Sequence, residues 1–262
     1  MANGGFNMSG AGGGGQAQAL RQIKKALDIV FDTRSSNKDR QDATDFLGVA
    51  KNDKEAPLHG FTLAFNRNLD PIVRHFALQM LEHGIRYFWD GYTVDEAIAV
   101  RGWVLALAEN VDSSDQMFVR NKVAQLWVEV AKRSWAEEWL DMDELLVKLW
   151  QGTPAQRDLC LNILETLVDD IFNRDDSIAG IRNASLSKAC VDIFTPSRVL
   201  LEAFPQREHT SVVRCGEEGW LVRLVNLLSS CLDQGVENAE AKACALRVLQ
   251  TLKLSVGWSI PK

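Results

Sequence analysis

Histidine and acidic side chains are the groups in this sequence best suited to metal binding or catalysis. The chain has four histidines, and two of them, His75 and His83, fall on one predicted helix. They are eight residues apart, whereas a helical pair that chelates one ion is spaced by about four. His59 and His209 have no metal-ligating neighbour in the sequence. The sequence therefore predicts no metal site.

Gly10, Gly12 and Gly15 match the dinucleotide-binding pattern G-x-G-x-x-G, but no predicted strand precedes them to fix a phosphate-binding turn, so we interpret them as part of a flexible tail. No Walker, G-x-S-x-G or Cys/His signature is present, so we expect neither an enzyme nor a bound cofactor.

Three acidic runs offer a second kind of chemistry, the binding of cations or of basic partners. They are Asp141 to Glu144, Asp169-Asp170 and Asp175-Asp176. None has the glycine turn and the regular ligand spacing of a calcium loop. Two interpretations stay open. The runs form either an ordinary solvated surface, which is the simpler reading, or a contact surface for a basic partner.

The elements that position these side chains are helices throughout. The central helix opens at Asp70, a predicted N-cap, with Pro71 at the first helical position. Six residues of this stretch recur 46 positions further along the chain: Val73, Arg74, Ala77, Gln79, Met80 and Trp89 match Val119, Arg120, Val123, Gln125, Leu126 and Trp135. A period of roughly 40–47 residues with two helices per unit is typical of HEAT-type solenoids.

We therefore predict an all-α protein, a right-handed α-solenoid of HEAT repeats made of antiparallel helix pairs. Residues 1–15 are rich in glycine and are predicted to form a disordered tail. Residues 16–135 should form repeats one to three, and residues 136–262 repeats four and five and the start of a sixth. Thr93 with Glu96 is a predicted capping box, and Thr153 with Pro154 predicts another helix start.

The composition disfavours several classes of function. The net charge is −6, and sequence-blind nucleic-acid binding requires a basic surface. No apolar run reaches the roughly 18 residues of a membrane span, and the N-terminus has no secretory signal pattern. The five cysteines are scattered without C-x-x-C spacing. We interpret them as buried thiols of a protein in a reducing compartment.

The two matched helices also have a polar side, and a solenoid turns such sides toward its concave surface. This polar side is predicted to carry Gln79, Glu82, His83 and Arg86 on the helix at 71–89, and Gln125, Glu129 and Lys132 on the helix at 116–134. A polar surface of mixed sign favours protein recognition over binding to an RNA backbone. An ordinary solvated face is the alternative interpretation.

The same stretch resembles a known family. Residues 72–83 with Trp89 are similar to the second HEAT repeat of the β-karyopherin exportins, and most similar to the exportin-5 subfamily. The next repeat of the same family is similar to a second set of residues in this chain: Lys122, Glu129, Lys132-Arg133, Trp135 and Trp139. The family usually has two Trp-Pro pairs there, whereas this chain has Ala136 and Leu140 in place of the prolines. The bend and the register of the next helix are therefore expected to be less firmly specified.

The resemblance implies the N-terminal part of a longer fungal export receptor that shuttles between nucleus and cytoplasm. Such receptors bind the small GTPase Ran in its GTP form through the concave side of their N-terminal repeats, so the seven polar residues above are the implied Ran-binding residues. In a complete receptor the resemblance also implies cargo, namely structured small RNA, tRNA or phosphorylated proteins. It further implies contacts with nuclear pore proteins, a monomeric state and no membrane partner. A HEAT scaffold or adaptor without a GTPase partner is the alternative.

Overall fold

The computed structural model describes residues 13–173, 177–206, 212–235 and 237–256. These residues form thirteen α-helices, a 3-10 turn at Trp89–Gly91, a π-helical turn at Asp169–Asn173 and one isolated backbone bridge, but no strand. The predicted all-α fold class is therefore confirmed. The helices are α1 (Gly13–Phe31), α2 (Asn37–Lys51), α3 (Ala56–Phe65), α4 (Pro71–Tyr87), α5 (Val94–Glu109), α6 (Met117–Ser134), α7 (Met142–Gln151), α8 (Pro154–Val168), α9 (Ser177–Ile181), α10 (Asn183–Phe194), α11 (Ser197–Ala203), α12 (Gly219–Asp233) and α13 (Ala239–Val256).

Side-chain caps determine where several of these helices begin. Asp70 accepts a hydrogen bond from the backbone N–H of Ile72 at 2.8 Å, as its predicted role as N-cap requires. Thr93 and Glu96 form the predicted capping box at the start of α5. Thr153 caps α8 as predicted and also forms a second capping box, because the Gln156 side chain accepts from its backbone N–H.

Among the differences from the predicted helices, two concern a boundary and one concerns an additional helix. α1 begins at Gly13, so three glycines assigned to the disordered tail belong to its first turn. α4 ends at Tyr87, because the Phe88 N–H donates to the Gly84 carbonyl as a C-cap and a 3-10 turn follows. α9 is a short helix that periodicity did not predict. The rest of the tail, residues 1–12, and residues 257–262 lie outside the described residues.

By packing, the chain divides into two compact units. The first contains the described residues up to Asn110 together with Asp115–Leu126, and the second contains Val111–Ser114 and the described residues from Trp127 onward. In the first unit α1 packs on α2 and α3 packs on α4. In the second unit α7 packs on α8 and α12 packs on α13. Consecutive helix pairs of this kind are what a HEAT-type architecture requires. The repeat boundary at residue 135 remains a prediction.

The matched positions of the two repeated helices share the same environment. Met80 on α4 and Leu126 on α6 are both 0% exposed, and the valine and alanine positions that match between the two helices are also buried. Of the two matched tryptophans, Trp135 is buried and Trp89 is half-buried. Close approach of α3 to α4 depends on Gly60, since a Cβ there would lie 2.6 Å from the Ala77 carbonyl oxygen. The repeat read from the sequence therefore corresponds to equivalent core positions.

Changing Met80 to alanine is expected to lower the free energy of unfolding by about 2–4 kcal/mol. The loss combines the transfer energy of the removed atoms with the cavity left behind. Hydrogen exchange should report faster opening of α3 and α4. Met117 provides a matched control, because it is 60% exposed and its change to alanine should alter stability by less than about 0.5 kcal/mol. Equal effects of the two substitutions would contradict the packing of α4.

The bend between α6 and α7 is more firmly held than the missing prolines suggested. Ala136 has a φ of 70°, a value that a proline ring, locked near about −65°, cannot adopt. Two N–H groups that follow it donate to the Ser134 carbonyl at 2.9 Å. Arg182 donates to the carbonyls of Lys132 at 2.8 Å and Trp135 at 2.7 Å. Hydrogen bonds thus specify this bend without the prolines that the resemblance implied, so the bend is more firmly held than expected.

All five cysteines are free thiols. Cys160, Cys190 and Cys231 are buried, as predicted, whereas Cys215 and Cys244 are half-buried. Burial raises the pKa of the Cys160 and Cys190 thiols. These two side chains therefore stay protonated in the folded chain and act as small apolar groups.

Candidate partner-binding cleft

Four of the seven predicted site residues line one cleft in the first unit. They are Gln79, Glu82, His83 and Arg86, which follow each other at helical spacing on α4. The cleft has a volume of about 220 Å³, and its remaining walls are Lys51, Tyr87 and Lys122. The helical period therefore placed this part of the predicted site on a single accessible surface, which we call the α4 cleft.

Glu82 is the centre of the charge arrangement in the α4 cleft. Its Oε2 lies 2.9 Å from Lys122 Nζ, and both side chains are 15% exposed. Its Oε1 lies 3.4 Å from Arg86 Nη2. Two cations on opposite sides of a partly desolvated carboxylate fix its orientation, whereas an exposed ion pair holds its side chains only weakly.

Lys51 enters the α4 cleft from the last turn of α2. Its Nζ lies 3.3 Å from Gln79 Oε1 and 4.7 Å from the centre of the Phe76 ring. Desolvation is the main cause that lowers the pKa of Lys51. The negative charge of Glu82 opposes this shift, and the positive charge of Lys122 adds to it. The ammonium group of Lys51 is thus half-buried, and its contacts are an amide oxygen and an aromatic face.

His83 closes one side of the α4 cleft. Its Nε2 lies 3.0 Å from Asn52 Oδ1, so the ring donates there in its Nε2–H tautomer. Its ring centre lies 4.5 Å from that of Tyr87. Desolvation, and then the charge of Lys51, lower the pKa of His83. We therefore expect a neutral imidazole in the cleft at pH 7.

The predicted exposure of Glu129 and Lys132 on α6 is wrong. Glu129 is 3% exposed and Lys132 is 1% exposed. Lys132 Nζ lies 3.0 Å from Glu129 Oε1 and 2.9 Å from Asp170 Oδ2, and Arg133 Nη1 lies 2.6 Å from Glu129 Oε2. The π-helical turn that contains Asp170 covers this part of α6, so these charges bind each other inside the second unit. Gln125 is exposed as expected.

Each of two acidic runs contains one buried carboxylate, whereas Asp141 and Glu144 of the first run are exposed as a solvated surface would be. Asp143 is 2% exposed and accepts hydrogen bonds of 2.6 Å from the Cys215 backbone N–H and the Trp220 indole N–H. Burial raises the pKa of Asp143, while these two hydrogen bonds lower it. Asp170 is buried beside Lys132. Both carboxylates therefore pin internal structure, and Asp175-Asp176 lie outside the described residues.

Sequence reasoning missed the two lysines of the α4 cleft. Lys51 and Lys122 lie 28 and 40 residues from the cleft residues that they contact, so only the packed helices bring them together. A basic residue in the last turn of a helix, such as Lys51, was a weak signal.

In the part of the chain that the structure describes, no three His, Cys, Asp or Glu side chains are placed to hold a metal ion. No helix among the described residues is long and apolar enough to cross a membrane.

Comparison with known proteins gives a consistent set of relatives. Residues 116–194 match the family model described as Exportin 1-like protein. The chain is 32% identical over 253 residues to Protein MSN5 of Saccharomyces cerevisiae, an alignment that covers 91% of this chain and 20% of that protein. It is 23% identical to Exportin-5 of Dictyostelium discoideum, covering 85% of this chain and 21% of the relative. It is 29% identical to human Exportin-5 over 60% of this chain and 13% of the relative. The chain thus spans about a fifth or less of the length of these relatives.

Proposed function

We propose, on the premise that this chain belongs to the exportin family of β-karyopherins, that it forms the Ran-GTP-binding part of a nuclear export receptor. The observation that carries this proposal is the similarity to Protein MSN5 over 91% of the chain and to an Exportin-5 over 85% of it. The similar region includes α4 and α6, the helices on which the resemblance places the Ran-binding residues. The whole receptor would shuttle between nucleus and cytoplasm, loading cargo with Ran-GTP and releasing it after GTP hydrolysis.

The α4 cleft supports a protein partner at this place. It joins Gln79, Glu82, His83 and Arg86 on a surface that is polar and accessible. Together with exposed Gln125, these residues are the remaining part of the proposed Ran contact. Glu129 and Lys132 are buried and take no part in it.

The cargo in this proposal is structured small RNA, tRNA or phosphorylated protein, carried by a monomeric receptor that also contacts nuclear pore proteins. With a net charge of −6, the chain itself is a poor RNA-binding surface. Recognition of an RNA cargo would therefore rest on other parts of a complete receptor. The alternative function is a HEAT scaffold that binds proteins without a GTPase.

Nucleotide dependence distinguishes the two functions. We expect the chain to bind Ran loaded with a non-hydrolysable GTP analogue at least about tenfold more tightly than Ran loaded with GDP, a difference of about 1.4 kcal/mol. Isothermal titration calorimetry with both forms measures this ratio directly. Equal affinities, or binding of neither form, would overturn the proposal and favour the scaffold.

A further inference from the structure

The α4 cleft contains more positive than negative charge. Lys51, Lys122 and Arg86 line it, and Glu82 is the one carboxylate among the described residues that form its walls. We propose that the α4 cleft is an anion-binding site that receives a carboxylate side chain from an acidic segment of a protein partner. That the partner is Ran rests on the proposed function, whereas the anion site itself does not.

Within the proposed contact surface, Glu82 acts as an internal counterion, so that a charged group of the partner meets the cations around Glu82. Its two carboxylate oxygens are engaged on opposite sides, one by Lys122 at 2.9 Å and one by Arg86 at 3.4 Å. A basic side chain from a partner would have to displace one of these cations. The cleft therefore presents cations, and not a carboxylate, to an arriving group.

Lys51 is the cation with the most to gain from an anion. Its ammonium group is bound to a neutral amide oxygen and an aromatic face, and the charge is partly desolvated. An anion placed between Lys51 and Lys122 would restore the interactions that desolvation removed. His83 stays neutral beside this place and already uses Nε2 on Asn52, so the site is made by the two lysines.

The arrangement fits a carboxylate better than a phosphate. Glu82 remains inside the cleft, and a phosphate dianion would be repelled by it more strongly than a single carboxylate charge. The cations come from three different helices, α2, α4 and α6, without the paired arginines that bind phosphate in a bidentate way. Tyr87, which is 71% exposed at the rim, offers a ring on which the apolar part of a glutamate or aspartate can rest.

A direct test titrates the isotope-labelled chain with a penta-glutamate peptide and follows amide shifts by NMR. We expect shifts that concentrate at the end of α2, on α4 and at the start of α6. In the double variant Lys51→Gln/Lys122→Gln the dissociation constant should rise by about tenfold or more. The matched control is Lys24→Gln/Lys38→Gln, which removes the same charge from exposed positions of the first unit and should leave the local shifts in place.

A charge-sign test uses Glu82→Gln. Removal of the internal counterion should tighten peptide binding by about threefold, whereas a site that binds a basic partner through Glu82 would lose affinity. Thermal unfolding by circular dichroism verifies that each variant is folded. Shifts spread evenly over the exposed lysines, an unchanged double variant, weaker binding in Glu82→Gln, or tighter binding of inorganic phosphate than of the peptide would each overturn the carboxylate site.

The same variants separate this inference from the proposed function. If the wild-type chain prefers the GTP form of Ran, Lys51→Gln/Lys122→Gln should weaken that binding by about tenfold and the Lys24/Lys38 control should not. Preference for the GTP form with an unaffected double variant would keep the function and discard Ran as the occupant of the cleft. Loss of nucleotide preference with intact peptide binding would keep the anion site and discard the function.

Discussion

Replacement of Lys132 by methionine should lower the free energy of unfolding by about 3–5 kcal/mol. Lys132 Nζ lies between two buried carboxylates, 3.0 Å from Glu129 and 2.9 Å from Asp170, with its side chain 1% exposed. Methionine has a similar volume but leaves those carboxylates without the ammonium group between them. Glu129 keeps its 2.6 Å ion pair with Arg133, so most of the loss should come from Asp170.

Urea unfolding followed by circular dichroism measures this loss. The matched control is Lys253→Met on α13, where the side chain is exposed and the change should stay within about 0.5 kcal/mol. Adding Asp170→Asn to Lys132→Met should recover part of the stability, because it removes the carboxylate charge that faces the lost ammonium group, while Glu129 keeps its ion pair with Arg133. A loss below about 1 kcal/mol in Lys132→Met would show that these charges are hydrated rather than buried.

Replacement of Asp115 by asparagine should cost about 3 kcal/mol in the first unit. Asp115 Oδ1 lies 2.5 Å from Arg74 Nη1, and the two side chains are 2% and 9% exposed. Arg74 Nε also donates to the Ala64 carbonyl at 3.0 Å. Asparagine keeps an oxygen acceptor but removes the negative charge, so a guanidinium group stays buried without its counterion.

The control for Asp115 is Asp45→Asn on α2, an exposed carboxylate in the same unit. Its change should leave stability within about 0.5 kcal/mol. Thermal unfolding and hydrogen exchange of α3 and α4 are the measurements. If Asp115→Asn and Asp45→Asn behave alike, Arg74 does not depend on Asp115, and the helix start at α6 is not tied to α4 by this pair.

Helix positions could be read from the sequence because their causes are local. The N-cap at Asp70 and the capping box at Thr93 involve residues within three positions of each other, and apolar spacing decides which face of α4 is buried. The short helix α9 was missed, since no comparable cap or period marks it. Ala136 adopts a positive φ that no local rule predicts for alanine.

The candidate site was predictable only in part. The helical period of the sequence identifies the polar side of a helix, but it does not show whether another element packs on that side. On α4 the polar side stays accessible, and Gln79, Glu82, His83 and Arg86 line a cleft. On α6 the equivalent side meets Asp170, which is 38 residues away in the chain from Lys132. The polar residues on that side of α6 form a buried ion cluster. Whether a polar residue is exposed could therefore be decided only from the tertiary structure.

The buried thiols can report how often the surrounding helices open. Alkylating reagents attack the thiolate, and burial removes both the thiolate and the access at Cys160 on α8 and Cys190 on α10. These two positions become reactive only when the surrounding helices open, so their labelling rates count opening events of two separate helices. Half-buried Cys215 has no such double protection. Local opening of the second unit can thus be measured from the alkylation rates of its native cysteines, without introducing a labelling site by mutation.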